Sequence, residues 1–184
     1  MRSPILQPSL EMLAARGVWL LQYFSHPKVL MLDGGMTAWK ANNLPTETKT
    51  NPFKPEKFEG QINNELIAGF EYLRNNLENL KIIDARTREE FDGSIVRAAQ
   101  RGHIPNSINI DWTLNISEDG KIKNEKELSE LYNLSKDDEI VTYCQGAYRA
   151  ANTFVALKKL GFKNVRVYLG SWGEWGNNLD LPVA

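Results

Sequence analysis

Cys144 is the sole cysteine of the chain, and it follows directly on the apolar run Glu139–Tyr143 (EIVTY) and precedes Arg149 by five residues. That pattern of residue types is one that could do nucleophilic chemistry. Glu139–Tyr143 reads as a buried strand. Arg149–Leu160 has helical periodicity and is ended by Gly161 as a C′ residue. Gln145, Gly146, Ala147 and Tyr148 then form a strand-to-helix turn at the carboxyl end of a parallel strand, the edge at which open α/β sheets bind ligands. Successive backbone N–H groups in such a turn can converge into an anion-binding nest, and the helix N-terminus adds partial positive charge. Arg149 adds a full charge if its side chain turns to the loop. All three favour thiolate over thiol, would bind an anionic substrate, and would hold a persulfide made on the sulfur. Gly146 is expected to take backbone conformations that a side chain would forbid. The plain alternative is a small buried core cysteine. The position of Cys144, first in the loop after a strand and ahead of an arginine, favours the functional thiol.

The elements around this loop repeat. Shifted by 136 residues, Ala14–Trp39 lies over Ala150–Trp175 without a gap, so that Leu21 meets Leu157, Val29 meets Val165, Gly34 meets Gly170 and Trp39 meets Trp175. Each copy reads as a helix, a linker, a strand (Val29–Leu32 and Val165–Leu169), a glycine turn and a Trp-bearing helix. The first of these helices is expected over Leu10–Phe24. The polar, proline-containing Leu44–Pro55 reads as an exposed linker. Beyond it the pattern predicts a helix within Asn63–Leu77, strands at Lys81–Ala85 and Ser107–Ile110, and a helix at Glu125–Tyr132. Strands alternating with helices indicate an α/β fold, a mostly parallel sheet covered on both faces, with a partial copy of the same domain before it. The expected organisation is residues 1–45 as that remnant, 46–57 as linker and 58–184 as the catalytic domain. Cys144 maps onto Pro8 in the first copy, which therefore has no nucleophile.

With 42% hydrophobic residues and a formal net charge of −1, the chain has the composition of a globular domain and no basic excess for nucleic acid. Its apolar runs fall short of the roughly 20 residues of a spanning helix, and Met1–Leu10 does not read as a signal peptide. One cysteine and two histidines neither pair in a disulfide nor suggest a metal centre. A cytoplasmic protein without metal or organic cofactor is expected.

At this point the sequence resembles the rhodanese (thiosulfate/mercaptopyruvate sulfurtransferase) family. The resemblance rests on Ile83-Asp84-Ala85-Arg86 with Glu90-Phe91, Arg101-Gly102-His103-Ile104-Pro105-Asn106-Ser107, the loop Cys144–Arg149, and Gly170-Ser171-Trp172-Gly173-Glu174-Trp175. Leu32-Asp33-Gly34-Gly35 through Trp39, with Leu44-Pro45, is similar to the end of the family's inactive N-terminal domain. The family implies a doubly wound parallel sheet and a persulfide on Cys144. Phosphatase loops of similar shape place the arginine one residue further on, so a Cys-dependent phosphatase is the minor alternative. Many members have glycine at the fourth loop position, where Ala147 stands here. Thiosulfate-specific animal members have a basic residue within the loop and another arginine beyond the DxR motif, where Glu90 stands.

The expected reaction is transfer of a sulfane sulfur from thiosulfate or a related small anionic donor to cyanide or a thiol. Cys144 is the nucleophile, the loop residues Gln145 to Arg149 bind substrate, and Arg86 is either paired with Glu90 or at the pocket rim. Asp84 is expected to hold backbone amides, His103 to be structural, and Trp172 and Trp175 to pack the last helix on the sheet, with the pocket wall as a second reading for Trp172. The second expectation is a persulfide carrier or interaction module with little turnover, which covers the incomplete N-terminal part by self-association or by pairing with a separately encoded fragment. A monomer by sedimentation would count against that pairing.

Overall fold

Short β-branched and aliphatic runs bounded by turns become strands, and the longer amphipathic stretches become helices. The computed structural model describes residues 10–184. Its strands are β1 (Ile67–Ala68), β2 (Lys81–Asp84), β3 (Ser107–Asn109), β4 (Ile140–Tyr143) and β5 (Val165–Tyr168). They pair in parallel in the order β1-β5-β4-β2-β3. The helices are α1 (Leu10–Tyr23), α2 (Gly35–Ala41), α3 (Phe70–Asn75), α4 (Arg88–Phe91), α5 (Glu125–Leu131), α6 (Tyr148–Lys159) and α7 (Ser171–Trp175). The central strands read as unbroken apolar runs because both faces are covered: Ile82, Ile83, Ile140 and Val141 are all buried.

On one face α6 lies along α1, and Phe154, Leu157, Leu128 and Trp19 share one core. On the other, Leu73 of α3 packs with Trp172 and Trp175 of α7, Ile104 and Leu181. Trp19 ties α1 into the first core, its indole Nε1 donating to the Leu66 carbonyl at 3.1 Å. The end of α6 is fixed by a Schellman motif. Gly161 N donates to Lys158 O and Phe162 N to Leu157 O, and Gly161 takes a φ of 82° that a side chain would disfavour.

Two elements differ from the sequence expectation. Val29–Leu32 is not a strand: a strand is completed by a hydrogen-bonded neighbour, and none of the described strands lies beside this segment. The helix expected within Asn63–Leu77 is divided into a 3-10 turn at Asn64–Leu66, β1 and α3, because Ile67 and Ala68 pair with Val167 and Tyr168 of β5 instead. Pro8, the counterpart of Cys144, lies outside the described residues. Residues 44–62 carry neither helix nor strand and are exposed. No helix among the described residues is long and apolar enough to cross a membrane.

From β2 the chain moves to β3 toward one edge of the sheet, and from β4 to β5 toward the other. The carboxyl ends of β2 and β4 therefore flank a topological switch point, where the connections diverge and leave a crevice. Asp84 ends β2 and Cys144 follows β4.

Candidate active site

The loop after β4 is held from below by the start of α7. Trp172 N donates to Cys144 O at 2.9 Å and Gly173 N to Gln145 O at 3.0 Å, while Cys144 N donates to Ser171 Oγ at 3.3 Å. A Cβ on Gly173 would come within 2.9 Å of the Gln145 carbonyl oxygen, so this close approach requires glycine. Above, the loop opens into a cleft of about 480 Å³ lined by Cys144, Gln145, Gly146, Tyr148, Arg149, Arg97, Trp112 and Met12. Cys144 faces it with only 1% of its surface exposed, which restricts direct attack to small or slender reagents.

Among the described residues, the amide N–H groups of Gln145, Gly146, Ala147, Tyr148 and Arg149 donate to no protein acceptor. The last of them belong to the first turn of α6, where intrahelical acceptors are lacking in any case. The turn that exposes them is made at Ala147, which caps α6 in the left-handed conformation at φ 65°. An alanine held there costs about 1–2 kcal/mol. This corrects the expectation for Gly146: its φ is not positive and a Cβ there would meet nothing within 4 Å. The unusual backbone lies one residue later.

Arg149 does turn toward the loop. Its NH1 and NH2 donate to Glu90 Oε2 at 2.5 Å and Oε1 at 3.0 Å. Burial works against the guanidinium's charge, but hydrogen bonds to Glu90 and the neighbouring Cys144 sulfur hold its pKa above the ordinary arginine value. Arg97 Nε reaches the same carboxylate, 3.1 Å from Oε1. Glu90 is placed by a capping box, in which Thr87 Oγ1 accepts from Glu90 N and Glu90 Oε2 accepts from Thr87 N, both at 3.3 Å. Burial pushes the Glu90 carboxyl upward, and the hydrogen bonds and charge of Arg149, the Thr87 amide and Arg97 outweigh it, leaving the pKa below the ordinary value of 4.5.

A carboxyl whose pKa is lowered by folding contributes stability that is present above the unfolded value and lost as pH falls through the folded one. Glu90→Gln should therefore cost about 2–3 kcal/mol at pH 7. Its deficit relative to the unsubstituted protein should narrow steadily below pH 4.5. Denaturant unfolding at pH 7 and at pH 3.5 measures the gap, and an equal deficit at both would dismiss the ion pair as its origin.

Arg86 is not at the rim and does not pair with Glu90. It precedes the helix on which Glu90 sits, and its guanidinium folds back on Asp84, with Nε 2.9 Å from Oδ2 and NH2 2.6 Å from Oδ2. NH2 also donates to Gly102 O at 2.8 Å, and the group stacks 4.5 Å from the Trp172 ring. Asp84 Oδ1 accepts the Arg86 amide at 2.9 Å. Neither residue lines the Cys144 cleft. His103 also lies apart from it, stacked on Phe91 with centroids 3.6 Å apart, its Nδ1 2.9 Å from the Phe91 carbonyl. Trp172 is buried behind the loop, and the indole at the cleft is Trp112. Sequence reasoning missed Trp112, Met12 and Arg97. Only the Thr87–Glu90 spacing, a capping-box signature, could have pointed to the carboxylate that gathers the arginines. Among the described residues no cluster of His, Cys, Asp or Glu is placed to hold a metal ion.

Comparison with known proteins places this site in context. The rhodanese-like domain family model matches residues 70–178. A thiosulfate sulfurtransferase of Azotobacter vinelandii is 35% identical over 175 residues, covering 92% of this chain and 65% of that protein. The sulfur carrier protein TtuD of Thermus thermophilus is 31% identical over 191 residues, covering 93% and 66%. The chain thus spans about two-thirds of the length of these relatives. Among solved structures, the anaerobic ergothioneine biosynthesis enzyme from Chlorobium limicola is similar with a TM-score of 0.85 at 19% identity, over 94% of this chain and 45% of that one. At that identity the likeness concerns the fold.

Proposed function

The chain belongs to the rhodanese-like domain family, and from that premise we propose that it is a sulfurtransferase working through a persulfide on Cys144. The observation that carries the reading is the row of five loop amides, from Gln145 to Arg149, without a protein acceptor among the described residues, set around a thiol at the floor of an open cleft. Such a row is suited to a sulfur that carries negative charge before, during and after transfer.

The thiolate of Cys144 attacks the outer sulfur of thiosulfate or a related donor. A bond forms between Sγ and that sulfur while the donor's S–S bond breaks, and its electron pair leaves with sulfite. The persulfide left behind is an anion of one charge, resting on the loop amides and beside Arg149. Cyanide or a thiolate then attacks the outer sulfur, the Sγ–S bond breaks, and the electrons return to Cys144 as thiolate. Arg149 is held by Glu90 and so supplies fixed charge without swinging into the path of the acceptor. We read residues 58–184 as the catalytic unit, 46–57 as a linker and 1–45 as the end of a preceding copy of the domain. The in-register match of Ala14–Trp39 to Ala150–Trp175 supports that division.

A second reading, a persulfide carrier with little turnover, is favoured by one observation. An apolar groove of about 510 Å³ lies between α1 and residues 29–36, the surface that self-association or a separate fragment would use. Mass spectrometry of the intact, reduced protein after thiosulfate treatment tests both. A gain of about 32 Da that cyanide removes is expected. Rapid repeated cycles with excess donor and cyanide identify the enzyme, and a single stoichiometric load with slow release identifies the carrier. An unchanged mass with a free thiol would reject thiosulfate as donor.

A further inference from the structure

We propose that Arg97 is the donor-recognising residue of the cleft, its terminal nitrogens taking the distal charge of a small anionic donor whose outer sulfur faces Cys144. The inference rests on the sulfurtransferase reading for its substrate and on geometry for its residue.

Of the four guanidinium groups around the loop, two are committed to carboxylates and a third is walled off between aromatic rings. Arg149 gives both terminal nitrogens to Glu90. Arg86, at 1% exposure, is spent on Asp84 and Gly102. Arg16 of α1 is stacked between Trp19 at 4.4 Å and Tyr148 at 5.7 Å, and its NH1 is closed off from solvent without a partner. Its charge acts on the Cys144 sulfur only across space. Arg97 alone of the four both lines the cleft and keeps its terminal nitrogens open. The side chain is 57% exposed, and Nε is the nitrogen anchored to Glu90. Among the described residues NH1 and NH2 of Arg97 donate to no protein acceptor.

Its position relative to the thiol is fixed at two points. The Arg97 carbonyl accepts from Gln145 Nε2 at 3.1 Å, which ties its backbone to the loop residue next to Cys144. Its Nε shares Glu90 Oε1 with NH2 of Arg149. One carboxylate thus serves two guanidinium groups, and the trio retains one positive charge at the cleft wall. A thiosulfate that presents its outer sulfur to Cys144 has a negatively charged sulfonate end still unpartnered, and a free guanidinium edge is a suitable counterpart. The loop interior from Gln145 to Tyr148 has no charge of its own, so a counter-charge for the donor's distal end comes from a side chain outside it. Donors with a carboxylate at the distal end would use the same contact.

The opposing account is an ordinary exposed ion pair that only steadies Glu90, and two small alkylating agents separate the two. Iodoacetate carries a distal anion and iodoacetamide does not, and both label the thiol of the full chain whether or not it transfers sulfur. Arg97→Gln should slow iodoacetate about tenfold and leave iodoacetamide within about twofold, with Arg97→Lys intermediate. In steady state, kcat/KM for thiosulfate should fall by a similar factor through KM. Equal slowing of both reagents, or of neither, would overturn the proposal. A wild-type chain that shows the reagent discrimination but transfers no sulfur would instead overturn the sulfurtransferase reading and leave Arg97 as an anion-recognising residue.

Discussion

Cys144→Ser should lower sulfur transfer from thiosulfate to cyanide by at least about 10³-fold, a loss of roughly 4 kcal/mol in transition-state stabilisation. A serine hydroxyl is far less acidic than a thiol and a poor nucleophile toward sulfur, so the field of the loop amides has no anion to act on. The fold should survive. The backbone bonds that seat the loop, Trp172 N to Cys144 O and Cys144 N to Ser171 Oγ, do not use the side chain. The cost of a hydroxyl in this buried position should stay within about 1–2 kcal/mol. Unfolding curves and initial rates on the same preparation measure both quantities. Activity above about one per cent of the parent, with contaminating wild-type protein excluded by mass, would rule out the persulfide route through Cys144. Loss of activity accompanied by loss of fold would leave the chemistry unassigned, and Cys144→Ala then serves as the second variant because it adds no polar group to the core.

What could be read in the sequence was what local pattern alone determines. Glu139–Tyr143 followed by a turn and a periodic helix ended by Gly161 gave the strand-loop-helix around Cys144, since apolar runs, glycine stops and helical spacing act within a few residues. Val29–Leu32 has equal β character but forms no strand, because a strand is completed by neighbours that composition does not reveal. Ile67–Ala68 was hidden inside helical spacing for the converse reason: β5 supplied a partner for two residues that looked helical. A pair between Arg86 and Glu90, four residues on, would need both on one helix, but Arg86 precedes the cap residue Thr87. Arg97 left no signal at all. It stands in an aperiodic stretch between α4 and β3, and only the fold brings it to Cys144. The same holds for Ala147, whose left-handed backbone is imposed by the loop rather than preferred by the residue.

The Asp84–Arg86 pair carries the largest expected effect on stability. Both side chains are essentially inaccessible, at 0% and 1% exposure, and among the described residues the carboxylate is the only counter-charge within hydrogen-bonding reach of the Arg86 guanidinium. Burial lowers the arginine's tendency to hold its proton, and the hydrogen bonds and charge of Asp84 reverse that. Asp84→Asn keeps the shape and an acceptor but leaves a buried positive charge uncompensated, which costs about 3–5 kcal/mol. For a chain of this length the melting temperature should fall by on the order of 10 °C. Replacing both residues, as in Asp84→Asn with Arg86→Met, removes the stranded charge as well as its partner. The double variant should therefore lose less than the sum of the two single losses, by roughly 1–3 kcal/mol. Strict additivity in denaturant unfolding would mean that the pair is not the source of the stability. The cycle also reaches function, because Arg86 bonds to Gly102 O and stacks on Trp172, the residue whose amide holds Cys144 O. Arg86 does not touch the cleft, so its removal should depress turnover through a loosened loop, with kcat falling more than KM rises, the reverse of the pattern expected at Arg97.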